Sequence, residues 1–242
     1  MRETKVAVVF GAGEGLGGAI ARRFAGEGFH AVVVRRKAAP LEPLVKRIQD
    51  QGGTATAFAV DARKEEEVVS LFDEVERTLG PVEVAVHNIG ANVAFSILDF
   101  EVRKYYKIWE MACLSGFLMG REAARRMLER ERGTIIFTGA TASLRGRSGM
   151  AGFAGAKAAL RALAQSMARE LGPRGIHVAH TIIDGAIDMP WTRENFPALF
   201  ESRPPDGVLA PDDVAEAYWS LHCQPRSAWT HELDLRPFVE PW

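Results

Sequence analysis

Short runs of apolar residues alternate along the chain with longer stretches of helical pattern. The apolar runs contain few polar residues, as in β-strands that are covered on both faces. Seven strands are predicted, at 6–10, 31–34, 55–59, 82–87, 134–138, 177–183 and 230–235. Six helices are predicted between them, at 16–27, 41–51, 64–79, 97–130, 150–171 and 211–222.

The residues between these segments agree with the assignment. Gly52-Gly53 follows one predicted helix, and Pro211 opens another. Alternating strands and helices with short connectors predict an α/β fold: a Rossmann-type doubly wound parallel β-sheet of about seven strands with helices on both faces. No internal repeat or linker is visible, so one domain over residues 1–242 is expected. The long connector 184–210, rich in proline and aromatic residues, is interpreted as a substrate lid.

Composition narrows the class of protein. The 242 residues are 47% hydrophobic and 25% charged, with a formal net charge of −1, so no overall field attracts nucleic acid or an anionic membrane. The two cysteines, Cys113 and Cys223, argue against a disulfide framework. No signal-peptide pattern or membrane-length apolar run is found. We expect a cytoplasmic protein with neither nucleic-acid nor membrane partners.

A glycine-rich loop, Gly11-Ala12-Gly13-Glu14-Gly15-Leu16-Gly17, joins the first predicted strand to the first helix. Small residues permit a tight turn and let backbone amides approach a pyrophosphate, and the helix N-terminus favours the anion. The alternative is a glycine-rich turn that binds nothing. The position of the loop in the first strand–helix unit favours dinucleotide binding.

The order of several motifs resembles that of the short-chain dehydrogenase/reductase family. The glycine spacing Gly-x-x-x-Gly-x-Gly is similar, and Asp61-Ala62 resembles the family's adenine-contacting element. Asn88-Ile89-Gly90 resembles its Asn-Ala-Gly element, and the segment 153–160 resembles its Tyr-x-x-x-Lys helix with Phe in place of Tyr. The resemblance covers essentially the whole chain.

The resemblance implies a set of cofactor-binding residues and an assembly. The implied cofactor-binding residues are Gly11, Gly13, Gly15, Leu16, Gly17, Arg35, Arg36, Asp61, Ala62, Asn88, Gly90, Lys157, Asp184, Gly185 and Ile187. A homotetramer or homodimer is expected, with the predicted helices 97–130 and 150–171 at its main interface.

The second predicted strand ends in three consecutive cations, Arg35-Arg36-Lys37. In the resembled family an acid at the position of Arg35 accepts hydrogen bonds from the adenosine ribose and repels a 2′-phosphate. Guanidinium groups instead suit a phosphate, so NADP(H) is predicted over NAD(H). The alternative is a solvated basic turn. Glu14 argues mildly against NADP(H), but one carboxylate faces two or three cations.

Most of the family's catalytic side chains are missing. Its Tyr, Ser and Asn positions fall on Phe153, Ala140 and Ala112, and only Lys157 remains. The family's carboxamide-binding Thr position falls on Met189. A positioned general acid contributes about 10²–10⁴-fold to a rate, so another group must supply it or the protein does without it.

Other groups are considered as proton donors beside the catalytic candidate Lys157. They are Thr141, Ser143, His87 and Asp184. Each has a structural alternative: the hydroxyls as loop hydrogen-bond partners, the histidine as a scaffold residue, and the aspartate as a backbone acceptor. No metal site is predicted, because His177 and His180, three residues apart on a strand, face opposite sides.

Aromatic residues suggest the class of substrate. On the resembled fold, four of them border the nicotinamide end of the cleft: Phe95, Trp191, Phe196 and Phe200. Clamping the connector to the body is the alternative role for them. The tail 236–242 is expected to dock either on a neighbouring subunit or on the cleft.

The leading hypothesis is an NADPH-preferring oxidoreductase with an atypical active site, acting on a hydrophobic carbonyl or alcohol substrate. The alternative is a catalytically inactive dinucleotide-binding protein, a sensor or an inert subunit. A third and weaker hypothesis is a lyase or isomerase that uses the nucleotide only structurally.

Overall fold

The seven apolar runs form the strands of one parallel sheet in the computed structural model, which describes residues 4–241. The helices and strands, in chain order, are β1 (Val6–Phe10), α1 (Leu16–Gly26), β2 (His30–Arg35), α2 (Glu42–Asp50), β3 (Thr54–Ala59), α3 (Glu65–Thr78), β4 (Val82–His87), α4 (Val102–Trp109), α5 (Ser115–Leu128), β5 (Gly133–Thr138), α6 (Ala151–Leu171), β6 (Ile176–Ile183), α7 (Pro190–Asn195), α8 (Pro197–Ser202), α9 (Pro211–His222) and β7 (Glu232–Leu235). The strand order is β3-β2-β1-β4-β5-β6-β7, and every pair is parallel. The predicted fold class is confirmed.

Both faces of the sheet are covered, which explains the unbroken apolar runs. Along β1, Val8 packs in a core with residues of α3, α5 and α6. Its neighbour Val9 packs in a second core with residues of α1, α2 and α9. Because successive side chains of a strand point to opposite faces, a strand between two helix layers has no solvent-facing positions.

The sheet reverses its order between β1 and β4, and this reversal positions the site. The chain leaves β1 toward β2 on one side and returns through β4 on the other. Gly11 N–H donates to Val34 O (3.0 Å) and Asn88 N–H donates to Phe10 O (2.9 Å), so the ends of the three strands stay together just beyond the sheet. A crevice at such a reversal is where doubly wound sheets bind ligands.

The predicted helix 97–130 is wrong in detail. It begins only at Val102, after Glu101 in an extended conformation, and a π-helical turn at Glu110–Leu114 divides it. At the end of that turn the Ser115 hydroxyl donates to Met111 O (2.6 Å). The strand predicted at 230–235 begins at Glu232. No helix within residues 4–241 is long and apolar enough to cross a membrane.

The connector 184–210 contains two short helices that the pattern of apolar residues does not predict. Pro190 begins α7 and Pro197 begins α8. Proline suits the first turn of a helix, because its fixed φ is helical and its missing N–H has no partner there in any case. Each helix has only six residues, which is too short for apolar periodicity to show.

Buried histidines predict a loss of stability in mild acid. Burial lowers the pKa values of His180 and His222 from 6.5 to about 4. Between pH 6.5 and about pH 4 the unfolded chain binds protons that the folded chain does not, so the free energy of unfolding falls as the pH decreases, by up to roughly 1.4 kcal/mol per pH unit for each group. Urea unfolding at about pH 7 and about pH 5 tests this.

The variant His222→Gln is the control for this prediction. Its amide keeps a hydrogen-bonding group near the Thr134 hydroxyl, which lies 2.9 Å from His222 Nδ1, but it does not titrate. The decrease in unfolding free energy between the two pH values should be smaller in the variant than in the wild type. Equal decreases in the two proteins would contradict the assignment.

Candidate functional site

A cleft of about 910 Å³ opens at the carboxyl ends of the first four strands. The predicted cofactor-binding residues that line it are Gly11, Gly13, Gly15, Leu16, Gly17, Arg35, Arg36, Asp61, Ala62, Asn88, Gly90 and Ile187. Three others, Lys157, Asp184 and Gly185, do not line it. Residues that the motifs did not indicate also contribute, among them Arg63 and Ser115.

The glycine-rich loop is shaped by close backbone contacts. Gly11 has φ +80°, and a Cβ there would lie 2.3 Å from Asn88 O. A Cβ on Gly17 would lie 2.4 Å from Gly11 O. Within the described chain, the amides of residues 12–14 donate to no backbone acceptor. Free amides beside the N-terminus of α1 suit the pyrophosphate of a dinucleotide.

The connector 184–210 approaches this loop from the opposite side of the cleft. Met189 Sδ lies 2.7 Å from the place that a Cβ on Gly15 would occupy. Trp191 lines the cleft and packs edge-on against Phe196, with 5.6 Å between ring centroids. Of the four aromatic residues that were expected at the nicotinamide end of the cleft, Trp191 is the one in the cleft lining among the described residues. Phe95 lines a separate cavity of about 610 Å³, and the Arg193 guanidinium lies over the ring of Phe200.

Cations border the end of the cleft beyond β2. The side chains of Arg35 and Arg36 are exposed, and Arg35 Nη1 lies 3.3 Å from the position of a Cβ on Gly13. In the part of the chain that the structure describes, neither guanidinium forms a hydrogen bond or ion pair with another side chain. Glu14 is exposed at the same rim. Unpaired guanidinium groups beside the loop suit an additional phosphate.

Asp61 already has a partner that the motifs did not reveal. Arg63 donates to its carboxylate from Nε (2.8 Å) and Nη2 (2.5 Å), and the Arg63 N–H also donates to Asp61 Oδ1 (3.2 Å). The hydrogen bonds from the Arg63 side chain are the main cause that lowers the pKa of Asp61. The predicted contact of Asp61 with an adenine stays a prediction.

The three residues at the implied Tyr, Ser and Asn positions lie together, but in an apolar environment. Phe153 and Ala112 belong to one buried cluster with Ile108 and Cys113, and Ala140 packs against it. None of these three side chains can donate a hydrogen bond to a carbonyl oxygen. The structure therefore brings the implied catalytic positions together without the polar groups that they would carry.

Lys157 lies beside this cluster, and its amine donates hydrogen bonds to backbone carbonyl oxygens. Nζ donates to Thr138 O (2.6 Å) and to Ile89 O (3.1 Å), joining the ends of β5 and β4. Its ammonium lies 5.9 Å from the centroid of the Phe153 ring. Burial lowers the pKa of Lys157 to about 8, so the amine exchanges its proton near neutral pH more readily than an exposed lysine does.

The other proposed proton donors are engaged within the protein. His87 Nε2 lies 2.7 Å from Ser115 Oγ, and because the serine proton goes to Met111 O, Nε2 is assigned as the donor. Burial lowers the pKa of His87 well below its usual value, so its ring is neutral. Ser143 Oγ accepts from Ala140 N–H (3.1 Å). These contacts match the structural alternatives for both residues.

Asp184 connects three segments at the end of β6. Its buried carboxylate accepts from the Thr141 hydroxyl (2.5 Å) and lies 3.7 Å from Arg145 Nη2 and 3.5 Å from Arg236 Nη2. Its N–H donates to Leu235 O (2.8 Å), a bond that proline could not make. It acts as a structural anchor here rather than as part of the cleft wall.

The C-terminal tail lies on the connector of its own chain. Arg203 Nη2 donates to Glu240 Oε2 (2.8 Å). A Cβ on Gly185, which has φ +154°, would lie 2.8 Å from Pro237 Cδ. None of the described tail residues lines the cleft, and docking on the cleft or on a neighbouring subunit stays a prediction. Trp242 lies outside the described residues.

The described residues contain no group of three or more His, Cys, Asp or Glu side chains that could hold a metal ion. His177 stacks on Trp229, with 4.9 Å between ring centroids. His180 Nδ1 lies 3.2 Å from Glu232 Oε2. Both rings therefore have structural contacts.

Known proteins place the chain in a family. A family model described as short chain dehydrogenase matches residues 5–198, so the chain belongs to the short-chain dehydrogenase family, whose members bind NAD(H) or NADP(H). A solved short-chain dehydrogenase from Rhodopseudomonas palustris is 48% identical, with a TM-score of 0.82 over 98% of this chain and 100% of that one.

Two further relatives are oxidoreductases by name. A 3beta-hydroxysteroid dehydrogenase 1 from Eggerthella lenta is 32% identical over 221 residues, which are 88% of this chain and 84% of the relative. An alcohol dehydrogenase from the archaeon Thermococcus sibiricus, solved in complex with 5-hydroxy-NADP, is 26% identical, with a TM-score of 0.85 over 99% of both chains.

Proposed function

We propose that this protein is an NADP(H)-preferring oxidoreductase acting on a hydrophobic carbonyl or alcohol substrate. The observation that carries the proposal is the pairing of a free-amide glycine loop with two unpaired guanidinium groups, Arg35 and Arg36, at one cleft. The relative from Thermococcus sibiricus, solved with 5-hydroxy-NADP, supports the same cofactor class.

The proposal assigns each part of the cleft a role. The amides of residues 12–14 hold the pyrophosphate, and Arg35 and Arg36 hold the 2′-phosphate. Asn88, Gly90 and the neighbouring Lys157 hold the nicotinamide half. When bound, the nicotinamide supplies or accepts a hydride. Trp191, in the cleft wall, offers an apolar face to the substrate.

Lys157 is the residue that we assign to proton transfer. Its pKa of about 8 lets the ammonium supply a proton near neutral pH. Two of the three N–H groups of its ammonium donate to Thr138 O and Ile89 O, so one N–H group remains to donate to a ligand.

A second function is favoured by the apolar cluster around Phe153. A site that stabilises a developing alkoxide needs hydrogen-bond donors aimed at the oxygen, and Phe153, Ala140 and Ala112 supply none. The protein would then bind NADP(H) without turnover, as a sensor or as an inert subunit. Assays of binding and of turnover separate the two functions.

The cofactor preference predicts the effect of one arginine. Arg36→Ala should weaken NADPH binding about 10- to 100-fold and NADH binding little, because a hydrogen bond to a charged group contributes about 1.5–3 kcal/mol. Fluorescence titration of both dinucleotides measures this. The control Arg47→Ala removes an exposed cation on α2 outside the cleft. Equal affinities in the wild type, unchanged in Arg36→Ala, would contradict the prediction.

Lys157 separates the enzyme from the binding protein. In an enzyme, Lys157→Met should lower the rate of NADPH oxidation with bulky ketones or aldehydes by more than the loss of NADPH affinity explains. Lys157→Arg should recover binding better than turnover, because a guanidinium does not release its proton near neutral pH. Absorbance assays with matched titrations give both quantities.

The double variant Phe153→Tyr with Ala140→Ser is the comparison for that experiment. If the wild type shows no turnover and the double variant reduces ketones, the natural protein binds the dinucleotide without turnover, and its fold still positions a ketone for reduction. If wild-type turnover survives in Lys157→Met, the lysine is not the essential acid, and His87 and Asp184 become the next residues to test.

We infer that the protein is a homotetramer or homodimer. Val102, Tyr106 and Trp109 of α4 are exposed although apolar, and small exposed residues on α6, such as Ala158, would let helices of two subunits approach closely. Sedimentation velocity at micromolar concentration should show an oligomer that Ala158→Arg dissociates. A monomeric wild type would refute this.

A further inference from the structure

Asp61 places a carboxylate in the wall of the cleft, on the same side as the exposed cations. Asp61 and Arg36 both line the cleft, and the two groups interact electrostatically. An unpartnered carboxylate there would oppose a phosphate bound by Arg35 and Arg36, because like charges in one cleft repel. The cleft therefore contains a group whose charge works against the proposed cofactor.

The Arg63 guanidinium forms a bidentate ion pair with that carboxylate and neutralises its charge. Its Nε and Nη2 donate to the two different oxygens, Oδ1 at 2.8 Å and Oδ2 at 2.5 Å. Side-on bidentate pairing of this kind is the strongest common arrangement of an arginine with a carboxylate. Both side chains are largely buried, with exposures of 27% for Arg63 and 17% for Asp61, so solvent screens the pair only in part.

Neighbouring contacts hold Asp61 in place for this pairing. Its N–H donates to Glu67 Oε2 (2.7 Å), and the Lys64 ammonium lies 2.7 Å from Glu67 Oε1. The Arg63 N–H donates to Asp61 Oδ1 (3.2 Å), closing a tight turn between the two residues. The ion pair is therefore part of the turn that follows β3, and contacts within that turn hold it in position.

We infer that Arg63 is a specificity-determining residue that masks the charge of Asp61, so that this carboxylate does not oppose the field of Arg35 and Arg36 at a 2′-phosphate. The inference deepens the proposed NADP(H) preference and rests on it. In this inference Arg63 acts through Asp61, and the alternative is that Arg63 contacts the phosphate directly. Removal of the Asp61 charge should restore the NADPH-to-NADH affinity ratio of an Arg63 variant in the first case and not in the second.

Four proteins test the inference: the wild type, Arg63→Ala, Asp61→Asn, and the double variant Arg63→Ala/Asp61→Asn. Dissociation constants for NADPH and NADH are measured by titration calorimetry. Arg63→Ala should lower the preference for NADPH on the order of tenfold, because the unpaired Asp61 carboxylate would then repel the 2′-phosphate across a partly hydrated cleft. The double variant should recover the wild-type ratio, and Asp61→Asn alone should raise it.

Two controls make the outcome specific. Arg193→Ala removes another bidentate arginine–aspartate pair, with Asp188, that does not line the cleft, and should leave the NADPH-to-NADH ratio unchanged. Adenosine 2′,5′-bisphosphate and 5′-AMP repeat the comparison without the nicotinamide half. The same changes in their affinity ratio are expected, even if a variant alters the far end of the cleft.

The possible failures are distinguishable. A loss of affinity for both dinucleotides to the same extent in Arg63→Ala would make Arg63 structural and overturn the inference. If adding Asp61→Asn to Arg63→Ala fails to restore the ratio, Arg63 contacts the phosphate directly, and this result also overturns the inference. A wild type without preference refutes the proposed cofactor specificity, whereas masking by Arg63 still stands if Arg63→Ala then shifts the ratio toward NADH.

Discussion

At the mouth of the cleft, the backbones of the glycine-rich loop, of the end of β4 and of the first turn of α1 lie close together with no side chain between them. The shape of the site depends on this close contact. Gly11 lies against Asn88 O at the end of β4, and Gly17, in the first turn of α1, lies against Gly11 O. Asn88 Nδ2 donates to the same carbonyl (3.3 Å). A side chain at either glycine would separate the strand ends from the helix, because each Cβ would meet backbone oxygen within 2.5 Å.

The sequence predicts the parts of the structure that local pattern controls. The run 6–10 is apolar throughout because both faces of the sheet are covered, and the predicted strand has the bounds that the structure shows. The glycine loop is predictable because its conformation needs residues without Cβ. The π-helical turn before Ser115 and the Arg63–Asp61 pair are not, since they depend on the side-chain partners that the fold brings together.

Asp184 shows how a single buried charge organises the other end of the cleft. A buried carboxylate needs donors or opposite charges. Here the Thr141 hydroxyl donates to it, and the guanidinium groups of Arg145 and Arg236 lie within ion-pair distance. The pair with Arg236 connects the beginning of the connector to the tail, and the Arg203–Glu240 pair connects them again near its end. Ion pairs therefore add to the packing of Pro237 against Gly185 in fixing these segments to one another.

The apolar residues at the implied catalytic positions support one another. A hydroxyl added at Phe153 alone would enter a cluster in which Ala140 and Ala112 offer it no partner, and an unsatisfied buried polar group costs about 1–3 kcal/mol. Lys157 meanwhile satisfies its amine on Thr138 O and Ile89 O. A polar side chain is therefore stable at this place only together with a hydrogen-bond partner, as Lys157 is. Phe153, Ala140 and Ala112 supply no donor, so proton transfer here would draw on Lys157, whose amine is bonded to the backbone.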